Sequence, residues 1–379
     1  MRRHHTSEKF LSADKRKRRD FTIVMFPLIL ACGSLFVISA NAISNSRKLN
    51  SYDQQQVDRE DVEIEVIPEY EDVGKLHELL THTSDGAIEK YPFTGLGDVS
   101  SPPTGENQVG FYWQIPRSGG TTLKHILGIC LNLVQSSRTS VEYCDVESHD
   151  LHVCQTRLGS LVNADTSDDH GIQRSQQLGL VPSGLVDVVV SSRFLHAASL
   201  FDTEHTARSF TVMRDPLERT ISTFYYLKEA TWERNYDEFY KHMTLMEYIQ
   251  RDETSSDWMV RWLTGKQHES VLTTKDLEFA KEILRKKFLI LLTEEMRVSV
   301  DRLIRYMNWD DMKDEACLKE NVAKVSRHNK SLHPNIEIGT EEYKAMREKN
   351  KLDIDLYDFA LELFSEQWEI IHTGADVHY

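Results

Sequence analysis

The stretch FYWQIPRSGGTTLKHIL, Phe111 to Leu127, constrains this chain more than any other segment. An apolar and aromatic run beginning at Val109 is stopped by Pro116, and after a Ser-Gly-Gly turn the segment TTLKHILGICLNLV carries apolar residues at helical spacing. The pattern is strand, loop, helix. Gly119 and Gly120 let the backbone approach a ligand closely, and the helix that follows turns its unpaired N–H groups and positive dipole end toward it, so a phosphate-type anion fits. Arg117, Ser118, Thr121 and Thr122 add side-chain donors. A nucleotide-hydrolysing loop would end in Gly-Lys-Ser/Thr, and Gly120-Thr121-Thr122 lacks that lysine. Taken alone, the loop also reads as an ordinary strand-to-helix turn.

The same pattern recurs downstream. Val186–Ser192 (VDVVVSS) is too short and too β-branched for a helix, and Ser209–Met213 (SFTVM) reads as another buried strand. The latter ends at Arg214-Asp215-Pro216, where Asp215 suits an N-cap and Pro216 the first helical position. In the helix predicted next, Leu217, Ile221, Phe224 and Tyr225 share one face, and Ser222 lies two turns in, eight residues after Arg214. A helix over 275–287 leads into FLILLT, Phe288 to Thr293, and a further helix runs to about Trp309. Strands alternating with helices predict an α/β domain: a P-loop-like, mostly parallel sheet with helices on both faces. Ligands of such sheets sit at the carboxyl ends of the strands, where Arg117 and Arg214 both fall. Arg214 and Ser222 together are a candidate grip for a second phosphate.

Charge is distributed unevenly. The formal net charge is −15, yet the first twenty residues hold eight Lys/Arg against three acids, so the remainder carries about −20. That balance argues against nucleic acid as a partner and makes any anion site local. From Phe21 to Ile43, 23 residues carry no charge, enough to cross a hydrocarbon core of about 30 Å. Basic residues crowd the N-terminal side, so the positive-inside rule predicts a cytosolic N-terminus and a lumenal remainder, a type II anchor. A signal peptide cleaved after Ala40-Asn41-Ala42 is the rival reading. The expected organisation is a basic tail over 1–20, a transmembrane helix over 21–43, an acidic stem over 44–105 and a folded lumenal domain over 106–379. Beyond Cys32 in the span there are four cysteines; Cys144 and Cys154 are the nearest pair, with Cys130 and Cys317 open as partners. Their spacings match no zinc pattern. One glycosylation sequon, Asn329-Lys330-Ser331, lies within the basic loop Ser326–Pro334.

The two constellations IPRSGGTTL and MRDPLERTISTFYYL resemble the 5′-phosphosulfate loop and 3′-phosphate motif of sulfotransferases that use 3′-phosphoadenosine 5′-phosphosulfate. Membrane-anchored carbohydrate sulfotransferases of the Golgi, the 2-O enzymes acting on heparan or dermatan and their 6-O relatives, are the most similar. The resemblance covers Val109 to about His333, with specific motifs in some twenty-five of those residues. It implies a sulfotransferase fold, the phosphosulfate as co-substrate, a carbohydrate acceptor, no metal requirement, and donor binding by Arg117, Ser118, Gly119, Gly120, Thr121, Thr122, Arg214 and Ser222. Two positions depart from the pattern. Arg117 stands where those enzymes carry lysine, a feature reminiscent of tyrosylprotein sulfotransferases. Where the 2-O enzymes place a catalytic histidine, this chain has Ser191-Ser192, and His196 is four residues beyond.

The implied chemistry is in-line attack of an acceptor hydroxyl on sulfur, with Arg117 as the catalytic donor to the leaving phosphate and a base to take the proton. His196 is the candidate base; His149, His152, Glu204 and His205 stay open. Trp258 and Trp262, on SSDWMVRWLTG, fit core packing better than sugar stacking. A P-loop kinase or nucleotidase, a tyrosylprotein sulfotransferase-like activity and a non-catalytic anchored module are the competing classes.

Overall fold

The computed structural model describes residues 93–101, 103, 108–231, 236–251, 256–328 and 336–373. The uncharged run Phe21–Ile43 and the sequon lie outside them; no helix of the described residues is long and apolar enough to cross a membrane.

Seven strands form one sheet in the order β3-β4-β2-β5-β1-β6-β7. They are β1 (Gln108–Trp113), β2 (Gln135–Ser136), β3 (Val153–Thr156), β4 (Gly159–Val162), β5 (Val188–Ser191), β6 (Thr206–Met213) and β7 (Phe288–Leu292). All pairings are parallel except the β3–β4 hairpin at one edge. The long apolar strands are those the sequence predicts. The two-residue β2 and the mixed-polarity β3 and β4 escape detection, because neither a buried run nor a clean alternation marks them.

Strands β5, β1, β6 and β7 send alternate side chains to two cores. Phe111, Trp113, Val189, Phe288 and Ile290 face one layer, which is built from α3 (Asp169–Gln177), α4 (Phe194–Ala198), α8 (Trp258–Thr264), α9 (Thr274–Lys287) and α13 (Lys351–Thr373). Tyr112, Val190, Phe210, Val212 and Leu291 face the other, which is built from α1 (Gly120–His125), α10 (Met296–Tyr306) and α11 (Glu315–His328). Helices thus cover both faces. Beyond the sheet, α5 (Pro216–Glu229), α7 (Leu245–Gln250) and α12 (Glu341–Lys349) share a third apolar cluster around Phe224 and Tyr248. The remaining short helices are α2 (Thr139–Tyr143) and α6 (Phe239–His242).

Two sequence expectations change in detail. The helix after Gly120 does not continue to Val134: α1 passes into a π-helical turn, Ile126–Cys130, where Leu131 N bonds Ile126 O at 3.0 Å, and ends before Asn132 at φ 53°. Tight packing explains the early stop. A Cβ on Gly128 would stand 2.5 Å from the Leu158 carbonyl of the β3–β4 turn, so this helix is pressed against the hairpin. Residues 93–101, which composition assigns to the stem, pack onto the sheet. Phe93, Leu96 and Val99 are buried, Leu96 bridges Ala207, and the buried Arg208 guanidinium donates to the Asp98 and Ser101 carbonyls.

Both pairs among the four cysteines beyond Cys32 are closed. Cys144 bonds Cys154, tying α2 to β3, and Cys130 bonds Cys317, tying the end of the π turn to α11. Trp258 stacks on Trp113 and contacts Trp262, both within the first core layer, which matches core packing.

Candidate functional site

Topology points to one crevice. The chain leaves β1 toward β2 on one side and leaves β6 toward β7 on the other, so the adjacent carboxyl ends of β1 and β6 form the switch point where open α/β sheets bind ligands. The strands are laced there: Gln114 N donates to Ser191 O at 2.9 Å, and Thr211 Oγ1 donates to Trp113 O at 2.8 Å. The loop after β1 and the turn after β6 meet above this lacing.

The β1 loop is held in an unusual backbone conformation. Arg117 has φ 63° and Gly119 φ 83°, and Gly119, the residue preceding α1, offers no side-chain cap. For arginine that region costs about 1–2 kcal/mol, a strain that persists only where surrounding structure enforces it. Two side chains brace the loop: Thr293, just after β7, whose Oγ1 lies 3.0 Å from Ser118 O and 3.1 Å from Met213 O, and Arg214, which donates to Arg117 O at 3.2 Å. Gly119 is also closed to larger residues, because an added Cβ would stand 2.9 Å from Met296 Cε. Ser118 is fully buried, yet its Oγ has no hydrogen-bond partner, and neither has the buried Oγ1 of Thr121. Orphaned buried hydroxyls are uncommon, and two of them in one strained loop suit the oxygens of an anion.

The β6 turn is complete by itself. Asp215 caps α5 by accepting from Leu217 N at 2.9 Å and Glu218 N at 3.0 Å, and Pro216 occupies the first turn as predicted. The two motifs meet through arginines. Arg117 Nε donates to Ser222 Oγ at 3.2 Å, and its guanidinium lies 4.5 Å from the centre of the Tyr226 ring. The buried Arg214 donates to Arg117 O at 3.2 Å and pairs with Glu218 at 3.3 Å. Arg117, Ser118, Arg214 and Ser222, 105 residues apart at the extremes, therefore share one site. Gly120, Thr121 and Thr122 open α1 directly above it.

His196 is positioned by a third junction, the one after β5, which neighbours β1. Its Nδ1 lies 3.2 Å from Asp169 Oδ1 at the head of α3, at ion-pair distance though outside hydrogen-bond alignment. Burial raises the Asp169 carboxyl pKa above its ordinary value, and the His196 charge pulls it back. Asp169 Oδ2 stands 3.8 Å from the buried Arg193, whose guanidinium lies 5.2 Å from the Trp262 ring centre. The other candidate bases are misplaced. Glu204 and His205 precede β6 and so sit at the amino edge of the sheet, where His205 contacts Asp202 at 3.2 Å. His152 precedes β3, four strands from β1 and hence roughly 19 Å away across the sheet, and His149 is exposed in the same connection.

Reading the sequence missed Thr293, Glu218, Tyr226, Arg193 and Asp169. Glu218 and Tyr226 were legible from helical spacing, one turn and three turns beyond Arg214; Asp169 was not, since its partner lies in a separate crossover. In the basic loop, α11 extends to His328 and the following residues lie outside those described. No known protein-family model matches the chain, and no curated protein matches it.

Proposed function

We propose that this chain is a sulfotransferase of the Golgi, anchored as a single-pass type II protein by Phe21–Ile43, that moves a sulfuryl group from 3′-phosphoadenosine 5′-phosphosulfate to a carbohydrate hydroxyl. One observation carries the reading: the Arg117–Ser222 hydrogen bond joins two anion-binding motifs, far apart in sequence, at the switch point of a mostly parallel sheet. Two anion grips side by side fit a nucleotide phosphorylated at both ends of its ribose. The orphaned Ser118 and Thr121 hydroxyls fit the 5′ side, and Arg214 with Ser222 fits the 3′-phosphate. Both disulfides agree with an oxidising lumen.

In the reaction the acceptor oxygen bonds to sulfur as the bridging S–O bond breaks, and the bisphosphate departs with the electron pair. Arg117 neutralises charge growing on the bridging oxygen, the α1 N–H groups hold the phosphate, and His196 takes the hydroxyl proton. The strained loop sets these donors before substrate arrives, so little reorganisation is left to the transition state.

Calorimetry on the full chain with a chelator present tests the donor assignment. Adenosine 3′,5′-bisphosphate should bind well above 5′-AMP, because Arg214 is assigned to the 3′-phosphate. Equal affinity for the two nucleotides would sink it.

A further inference from the structure

We propose that Asp169 is the positioning residue for His196, so that the base of this enzyme is an aspartate–histidine dyad assembled from two separate crossovers. The proposal rests on the sulfotransferase reading and adds the group that makes His196 a base. Nothing in the sequence joins the two: Asp169 opens α3, beyond β4, and His196 lies in α4, beyond β5. The fold brings them together because β4 and β5 flank β2 and point the same way, so both helices start at the carboxyl edge.

The geometry assigns each nitrogen a task. With Nδ1 3.2 Å from Asp169 Oδ1, the carboxylate charge stands beside Nδ1 and favours a proton there, which makes Nε2 the nitrogen that accepts the acceptor hydroxyl's proton. When that proton arrives, the ring becomes imidazolium and the carboxylate stabilises it; the proton is later released to solvent. Arg193 in turn steadies Asp169 through Oδ2 and is fixed by the face of Trp262. An aspartate that served only to start α3 would not need this arrangement, because that helix already has its cap: Asp168 accepts from Gly171 N at 2.7 Å. Exposure fits the role as well. His196 and Asp169 are 26% and 45% exposed, open enough for an acceptor to reach and sheltered enough for the charge pair to matter.

Among the described residues, Arg193 at the head of α4 and Asp168 beside Asp169 are charged groups that act on the pair. Removing the Asp169 charge removes an anion that stands 3.2 Å from the ring. Without it the imidazolium loses its proton at lower pH, so the acid limb of the activity profile moves down.

The test compares wild type, Asp169→Asn and Asp169→Glu in the full chain, by transfer kinetics across pH and by NMR titration of the His196 ring. Asp169→Asn should lower kcat about 10-fold, part of the roughly 10²–10⁴-fold that a positioned base supplies. Donor KM should stay constant and the acid limb should move to lower pH. Asp169→Glu should restore much of kcat. In parallel, the His196 midpoint should fall in Asp169→Asn, a reading that needs no turnover. An unmoved midpoint overturns the dyad whatever the activity; a shifted midpoint in a chain that transfers no sulfuryl group from the labelled donor overturns the sulfotransferase reading and leaves the dyad standing. An unchanged kcat and pH profile in an active Asp169→Asn enzyme also overturns the proposal.

Discussion

The β1–α1 and β6–α5 junctions are built from the same parts, a buried parallel strand, a short turn with an arginine and a helix start, and they are finished in opposite ways. At β6, Asp215 fills the helix N-terminus with its own carboxylate and leaves only side chains, Arg214 and Ser222, for a ligand. At β1 nothing fills it: Gly119 supplies no cap, Arg117 is held in the left-handed region, and two buried hydroxyls have no partner. The completed junction can bind but has little to gain when charge moves. In the proposed reaction the uncapped one sets its donors around an anion in advance, the condition under which electrostatic stabilisation of a transition state is largest.

The difference gives the largest expected effect. Arg117→Ala should lower turnover by about 10²–10³-fold while weakening product-nucleotide binding less, since the proposed mechanism puts its charge where the bridging bond breaks. Arg214→Ala should instead raise the donor KM with a smaller change in kcat, because the contact proposed for it with the 3′-phosphate is the same in ground and transition states. Steady-state kinetics on the two variants separates the patterns. If both variants altered KM alone, the two junctions would be equivalent and the contrast would be lost.

The junctions are also anchored differently from behind. Helix α1 is tied through its π turn by the Cys130–Cys317 bond, whereas α5 is tied by a buried ion pair, Arg219 with Asp353 at 3.6 Å. Asp353 belongs to a reciprocal arrangement. It accepts from Met259 N and Val260 N at the start of α8, while Asp257 accepts from Leu352 N and Asp353 N at the start of α13. Burial pushes the Asp353 carboxyl up to about 6, against the pull of Arg219. Its folded value lies above the unfolded one, so between about pH 4 and pH 6 the native state binds the extra proton and stability falls as pH rises. The span is at most about 3 kcal/mol for two pKa units. Thermal unfolding across that window should show the decline, and Asp353→Asn should flatten it. An equal slope in the variant would mean that α5 does not depend on that charge.

How far the fold was legible follows from the same physics. Val188–Ser191 and Thr206–Met213 lie inside the sheet, Phe288–Leu292 lies at its edge, and all three are buried and leave a largely apolar signature; β2 pairs through two residues and leaves none. Arg117, Arg214 and Ser222 were readable because each motif is local, a turn and the helix attached to it. Their meeting was inferred from strand ends, and the Arg117–Ser222 bond supplies it in atoms. Thr293 and Asp169 were not readable, since each acts on a residue brought near only by the sheet order.

The smallest effect concerns Glu218, an acid that touches Arg214. Glu218 lies one turn along α5 from Arg214, pairs with it at 3.3 Å and is 44% exposed, so it occupies the guanidinium that the 3′-phosphate is assigned to use. A phosphate can displace it, because the Glu218 carboxylate is open to solvent and a phosphate offers the guanidinium more charge and more acceptor oxygens. Removing the carboxylate should therefore help binding slightly: Glu218→Gln should lower the Kd for adenosine 3′,5′-bisphosphate about two-fold and leave 5′-AMP unchanged, with calorimetry on both nucleotides as the readout. The gain should shrink at high salt, where screening already weakens the competition. A loss of affinity in Glu218→Gln would mean that the carboxylate orients Arg214 for the phosphate instead of competing with it, and the β6 junction would then depend on its own acid as the β1 junction depends on a ligand.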